Sequence, residues 1–124
     1  MGNYMGKELK KSLPPIISLI SKSEKSQQKM KPETWQYKML QKNIKALYLS
    51  AKLINEEDIN NYTREDFQEA IMVLSSMIKT TENAKIKFSL GTSQYTLQQN
   101  RYESLCIALE LINNFLQIQN DVKK

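Results

Sequence analysis

Two short blocks of sequence, Thr34-Trp35-Gln36-Tyr37 and Thr92-Ser93-Gln94-Tyr95, decide the fold, because the second block repeats the first. Sliding the chain over itself until Thr34 meets Thr92 aligns residues 3–55 with residues 61–113 without a gap, and gives 14 identities in 53 positions. Many of these identities are polar, so the shared apolar period of helices does not account for them. The sequence therefore predicts an internal duplication, with repeat 1 at about 3–55 and repeat 2 at about 61–113.

Each repeat has the pattern of two helices joined by a short loop. In repeat 2, Thr63 is a suitable N-cap residue with Asp66 three residues later, close to a capping box. The apolar stripe that follows predicts a helix to about Lys87. Gly91 can adopt the left-handed conformation that links helices, and Thr92 or the next residue caps the second helix.

Repeat 1 follows the same plan, with one departure. Pro32 closes its first helix, because the residue before a proline is pushed out of the α region, and Thr34 caps its second helix. The departure is Pro14-Pro15, which aligns with Met72-Val73 in the middle of a helix. Proline is tolerated in a first turn but breaks a helix interior, so the first helix either starts near Ser12 or is kinked at the prolines.

Two amphipathic hairpins cannot each bury their own apolar face, and packing them together covers both. We therefore predict an all-α fold, an antiparallel four-helix bundle built from two duplicated αα-hairpins, in a single domain of residues 1–124. Three glycines are too few for a β-rich chain, and no apolar run approaches the ~20 residues that span a bilayer. Residues at the same level along the two antiparallel helices of a hairpin can form hydrogen bonds across it. This predicts bonds between four pairs: Lys29 with Gln36, Glu24 with Gln41, Lys87 with Gln94 and Glu82 with Gln99.

Composition argues against catalysis. The chain has no histidine, which removes Ser-His and Cys-His nucleophiles and histidine-ligated metals. Its acidic clusters, Glu56-Glu57-Asp58 and Glu65-Asp66, are typical of linkers and helix starts. The single cysteine, Cys106, cannot form an internal disulfide and is interpreted as a half-buried apolar residue, which favours a cytoplasmic location. We predict that the protein is not an enzyme and uses no cofactor or metal.

The charge is unevenly divided. The net charge of +5 consists of +8 in residues 1–55 and −3 in residues 56–124. A basic half steers a protein toward an anionic partner. Trp35 has no counterpart in repeat 2, where Ser93 stands, and an exposed tryptophan among lysines suits a binding hot spot. The alternative is that this tryptophan covers the end of the core. The candidate partner-binding residues are Trp35, Lys29, Lys31 and Lys38.

These features favour a non-catalytic interaction or regulatory module, similar in size to adaptors and immunity proteins, whose Lys-rich first hairpin docks an acidic protein partner. One alternative is association of that hairpin with nucleic acid or another anionic surface. The chain has two arginines, which are few for the contacts to bases and phosphates that such binding needs. A second is a small-ligand carrier or enzyme with paired loop pockets. The sequence leaves the oligomeric state open. The repeated loop motif that would line those pockets consists of Thr34, Gln36, Tyr37, Thr92, Gln94 and Tyr95.

Overall fold

The protein is built from helices. A computed structural model describes residues 9–123 and, within them, the side chains of residues 9–118. This part of the chain contains no strand, so the predicted all-α four-helix bundle is confirmed. The repeat matches at Asn3 and Tyr4 lie outside the described residues. The four helices are α1 (Leu13–Gln28), α2 (Trp35–Ile54), α3 (Arg64–Lys85) and α4 (Ser93–Lys123).

The helices pack as two hairpins, α1 with α2 and α3 with α4. Helix α2 also packs on α3, α1 packs on α4, and α2 contacts α4 across the centre of the bundle. Because short connections make successive helices antiparallel, the connections at residues 29–34 and 86–92 lie at the same end of the bundle. We call this end, with the first turns of α2 and α4, the loop end. The connection at residues 55–63 lies at the opposite end.

The first helix avoids the kink that its prolines would cause. Helix α1 begins at Leu13 directly after Ser12, which places Pro14 and Pro15 in its first turn. Residues 9–10 are also helical, but a turn at residues 11–12 separates them from α1. The start near Ser12 is therefore the correct alternative, since a proline in a first turn removes no intrahelical hydrogen bond.

The predicted caps of the other helices are present. Thr63 and Asp66 form a complete capping box, in which each side chain accepts a hydrogen bond from the backbone N–H of the other residue. Gly91 has the left-handed conformation, with φ of +87°, immediately before the cap at Thr92. Helix α3 ends at Lys85, slightly earlier than predicted.

The core draws on all four helices. Phe67 of α3 stacks on Phe115 of α4 with ring centroids 4.6 Å apart. Several matching positions of the two repeats are buried alike, which supports the duplication, and the duplication itself stays a prediction. Three such pairs of fully buried apolar side chains are Ile16 with Leu74, Leu47 with Leu105, and Ile54 with Ile112. None of the helices in the described part combines the length and apolar character needed to cross a membrane.

The predicted pairing across the hairpins is wrong in detail. Gln41 accepts its hydrogen bond from Gln27 at 2.7 Å rather than interacting with Glu24. Glu24 instead accepts a bond of 2.9 Å from the hydroxyl of Tyr48. Equal height along two helices is not sufficient, because each side chain must also point toward the partner helix. In the second hairpin, correspondingly, Gln99 accepts from Lys85 and donates to Glu103, and it makes no hydrogen bond with Glu82. The pairs Lys29 with Gln36 and Lys87 with Gln94 show no hydrogen bond in the described structure.

Candidate functional site

Two matching turns shape the loop end. The hydroxyl of Thr34 donates to the carbonyl oxygen of Lys31 at 2.7 Å and accepts from the backbone N–H of Tyr37 at 3.3 Å. Thr92 makes both bonds at 2.7 and 3.2 Å, with the residues three before and three after it. Each threonine therefore fixes the end of its loop and the first turn of the next helix at the same time. The threonine of the repeated motif therefore caps a helix in both hairpins.

Trp35 begins α2 and points to solvent. Its side chain is 67% exposed, so the alternative in which it covers the end of the core is wrong. Lys29, Lys31 and Lys38 are exposed as well and lie in the same loop and first turn. The structure thus places the four candidate partner-binding residues together at the loop end. Their role in binding stays a prediction.

The second loop adds an apolar surface that the sequence reasoning missed. Ile86 is 77% exposed and Leu90 is 81% exposed, and Phe88 between them is also exposed. The sequence predicted that α3 continues to about Lys87, whereas it ends at Lys85, before Ile86. The signal that identifies these residues is their alternate spacing directly before Gly91, in a segment that cannot be helical throughout.

The other residues of the repeated motif do not enclose a pocket. Gln36 and Gln94 are exposed, and Tyr37 and Tyr95 are half-buried. The three main cavities found in the described chain are lined by other residues. The expectation of paired loop pockets therefore gains no support from the structure.

A large cavity of about 860 Å³ lies along α2 and α3, with contributions from α1 and α4. Arg101 of α4 is one of its lining residues, although it is only 8% exposed. Its Nη2 donates to the hydroxyl of Ser18 at 3.4 Å, which is long for a hydrogen bond, and its Nε has no partner. The sequence reasoning missed this residue. The available signal was a charged residue at helical spacing from Leu105 and Ala108, on the apolar face of α4.

A smaller cavity of about 390 Å³ lies between α1 and α4. Under the predicted duplication, this groove corresponds to the groove between α2 and α3 that forms part of the large cavity. The residue pairs that line the two grooves at corresponding positions are Pro14 with Met72, Pro15 with Val73, and Ser18 with Ser76.

Asp66 and Asp58 are engaged in structural contacts, and Cys106 is partly covered. Asp66 accepts from Lys45 at 2.7 Å as well as from the capping box, and these bonds hold the pKa of its carboxyl below the usual range. Asp58 caps its own turn by accepting from the N–H of Asn60. Cys106 is half-buried, and burial raises the pKa of its thiol. Across the described residues, no group of three or more acidic or cysteine side chains is arranged to hold a metal ion.

The chain matches no protein-family model, no curated protein and no solved structure.

Proposed function

We propose that this chain is a non-catalytic interaction module that binds an acidic protein partner through the loop end of its bundle. The observation that carries the proposal is the grouping of exposed Trp35 with exposed Ile86 and Leu90 at one end of the molecule. Exposed apolar side chains gathered in one region mark interaction sites more often than single ones do. Tryptophan in particular supplies a large contact area with little loss of side-chain entropy.

The charge around these apolar residues favours an acidic partner. Lysines at positions 29, 31 and 38 lie in the same loop and first turn as Trp35, and Lys87 lies between the apolar residues of the second loop. The one acidic residue in the segments 29–38 and 86–94 is Glu33. Lysines on the same surface as exposed apolar residues give fast, salt-dependent association with a negatively charged partner, while the apolar residues supply the affinity.

The alternative partner, nucleic acid, fits this surface less well. Arginine is the residue that makes bidentate contacts to bases and phosphates, and the chain has two arginines. Arg101 is buried, and Arg64 begins α3 at the end of the bundle opposite to the loop end. The loop end also presents aliphatic side chains, which contribute little to binding a phosphate backbone.

The chemistry of the remaining residues supports a role without catalysis in a reducing, cytoplasmic compartment. Catalytic acids and bases need pKa values close to the working pH. The pKa of Asp66 is shifted away from neutrality by its bonds to Lys45 and the backbone, and burial shifts the pKa of Cys106 away from the thiolate form.

The test is capture of partners from an extract of the native host, followed by binding measurements with the purified partner. Trp35→Ala removes the apolar anchor, and reversal of Lys29, Lys31 and Lys38 to glutamate removes the charge. We expect the first variant to weaken binding by about tenfold or more, because a buried tryptophan anchor contributes about 2 kcal/mol or more. The charge reversal is expected to slow association and to remove its salt dependence.

Matched controls separate the surface from general effects. Ile118→Ala truncates another exposed apolar side chain, far from the loop end. Reversal of Lys10, Lys52 and Lys79 makes the same change in net charge elsewhere on the bundle. Partner binding that is unchanged in both loop-end variants contradicts the proposal. Binding of the wild-type chain to nucleic acid or anionic vesicles, lost in the loop-end charge reversal alone, would favour the alternative instead.

A further inference from the structure

Arg101 is a buried cation. It is 8% exposed, and its Nε has no hydrogen-bond partner among the residues that the structure describes. Within residues 9–118, no carboxylate forms an ion pair with it. Burial lowers the pKa of Arg101, and no neighbouring acid opposes that shift. An unpaired buried charge is costly to the fold, and arginine does not escape the cost by losing its proton. An anion bound from outside the chain would offset that cost.

The space beside Arg101 is large enough for a small molecule. The cavity of about 860 Å³ falls in the size range of ligand pockets. The apolar side chains that line it include Leu19, Met39, Val73 and Met77. Methionines suit a cavity of this kind, because their flexible thioethers adapt to ligands of different shape.

We propose that this cavity binds an aliphatic carboxylate, with the carboxylate at Arg101 and the hydrocarbon chain along the apolar side chains of α2 and α3. A carboxylate matches the planar guanidinium, which can donate two parallel hydrogen bonds to it. The ligand is expected to carry a single negative charge, because Arg101 supplies one buried positive charge. The other buried polar side chain of the lining, Thr81, already donates its hydroxyl proton to the carbonyl oxygen of Met77 at 2.8 Å.

The surroundings of the cavity allow such a ligand to enter. Met72 is largely exposed at the rim, and so is Lys42, whose ion pair with Glu69 has a long N–O distance of 3.6 Å. Lys22 adds a further exposed positive charge near the cavity. The net positive rim attracts an anion, while the apolar interior favours its hydrocarbon chain over water. This cavity is distinct from the loop end, so the two proposals can be tested independently of each other.

The two arginines of the chain provide a direct readout. In a ¹⁵N-labelled sample, Arg64 and Arg101 give two side-chain Nε–H signals, which the variants Arg64→Lys and Arg101→Lys assign. Titration with decanoate is expected to shift the Arg101 signal in a saturable way and to leave the Arg64 signal in place. 1-Decanol lacks the charge and acetate lacks the chain, so each is expected to bind at least about tenfold more weakly.

Variants test the two halves of the site separately. Arg101→Gln removes the charge, and Ala84→Phe fills part of the cavity while keeping Arg101. Both are expected to weaken decanoate binding, measured by calorimetry, by about tenfold or more. The exposed Lys79→Gln, on the same helix as Ala84, is the matched control and is expected to bind normally. Absence of a saturable shift at Arg101, equal binding of 1-decanol, or undiminished binding in either variant would overturn the proposal. If Arg101→Gln fails to fold, the Arg101 signal and Ala84→Phe decide the question.

Discussion

Lys85 donates a hydrogen bond of 2.8 Å from Nζ to Oε1 of Gln99, and so joins α3 to α4. At the matching positions of the first hairpin, Gln27 donates from Nε2 to Oε1 of Gln41 at 2.7 Å and joins α1 to α2. Two donors of different chemistry thus serve the same acceptor at the same place in each hairpin. The predicted duplication is supported by this correspondence, since an ancestral pairing can persist while the donor changes from amide to ammonium.

A substitution at Gln27 tests this correspondence. Gln27→Lys is expected to keep the bond to Gln41, because lysine makes it at the matching position of the second hairpin. Gln27→Ala is expected to lower the free energy of unfolding by about 1 kcal/mol, because it removes the bond to Gln41 and a longer one of 3.3 Å from the same amide to the carbonyl oxygen of Tyr37. Urea denaturation measures both, with the exposed neighbour Gln28→Ala as control. A lysine variant as unstable as the alanine variant would show that the two positions are not interchangeable.

The prolines allow a sharper comparison of the two repeats. Pro15 lies in the first turn of α1, whereas Val73 at the corresponding position lies in the interior of α3. Val73→Pro is expected to cost about 3 kcal/mol or more, because it removes a hydrogen bond and clashes with the preceding turn. Pro15→Ala is expected to change stability by less than about 1 kcal/mol. Urea denaturation and circular dichroism measure the two, and Val73→Ala separates the loss of the side chain from the backbone effect.

What the sequence predicted well is local. The caps at Thr34, Thr63 and Thr92 were predicted because a short side chain and its own backbone suffice to form them. The pairing of Gln41 was not predicted, because it depends on the rotation of two helices about their axes. Arg101 was missed for a related reason: its burial is a property of the four packed helices together.

At the candidate partner surface, too, the sequence shows the local features but not those that depend on the packing of the helices. That Trp35 lacks a counterpart in the second repeat was visible in the sequence, but its exposure was not, since a first-turn residue can face either the core or solvent. Ile86 and Leu90 were missed because helix propensity alone does not fix where α3 ends. Their association with Trp35 follows from the antiparallel packing, which brings both loops to one end.

Substitutions at two positions with left-handed backbone are expected to change the stability of the protein in opposite directions. Gly91 has φ of +87°, and no atom lies within 4 Å of an added Cβ, so Gly91→Ala suffers a conformational penalty alone. We expect it to cost about 1–2 kcal/mol. Glu56 has φ of 55°, and Glu56→Gly is expected to stabilise the protein by up to about 1 kcal/mol. Thermal unfolding measures both. Equal destabilisation by the two substitutions would contradict the assignment of strain to Glu56.

The lowered pKa of the Asp66 carboxyl makes the stability of the fold depend on pH. Its bonds to Lys45 and to the backbone of Thr63 lower its pKa in the folded protein, so its contribution is present above the ordinary aspartate pKa and is lost as the pH falls through the lowered value. The same ion pair raises the pKa of Lys45 in the folded protein. The contribution of Lys45 to stability is therefore lost as the pH rises through this raised pKa. The pair is therefore expected to stabilise the fold between about pH 4 and pH 10.

Two variants divide this contribution into its parts. Asp66→Asn keeps an oxygen that can accept from Thr63 and removes the charge, which is expected to cost about 0.5 kcal/mol at neutral pH, the usual value of an exposed ion pair. Asp66→Ala removes the capping bond as well and is expected to cost about 1–2 kcal/mol. Urea denaturation across a pH series measures the differences from wild type. Because the carboxyl is neutral in strong acid, the difference between wild type and Asp66→Asn is expected to shrink as the pH falls below about 4, and a difference that stayed constant there would show that the charge of Asp66 is not its source.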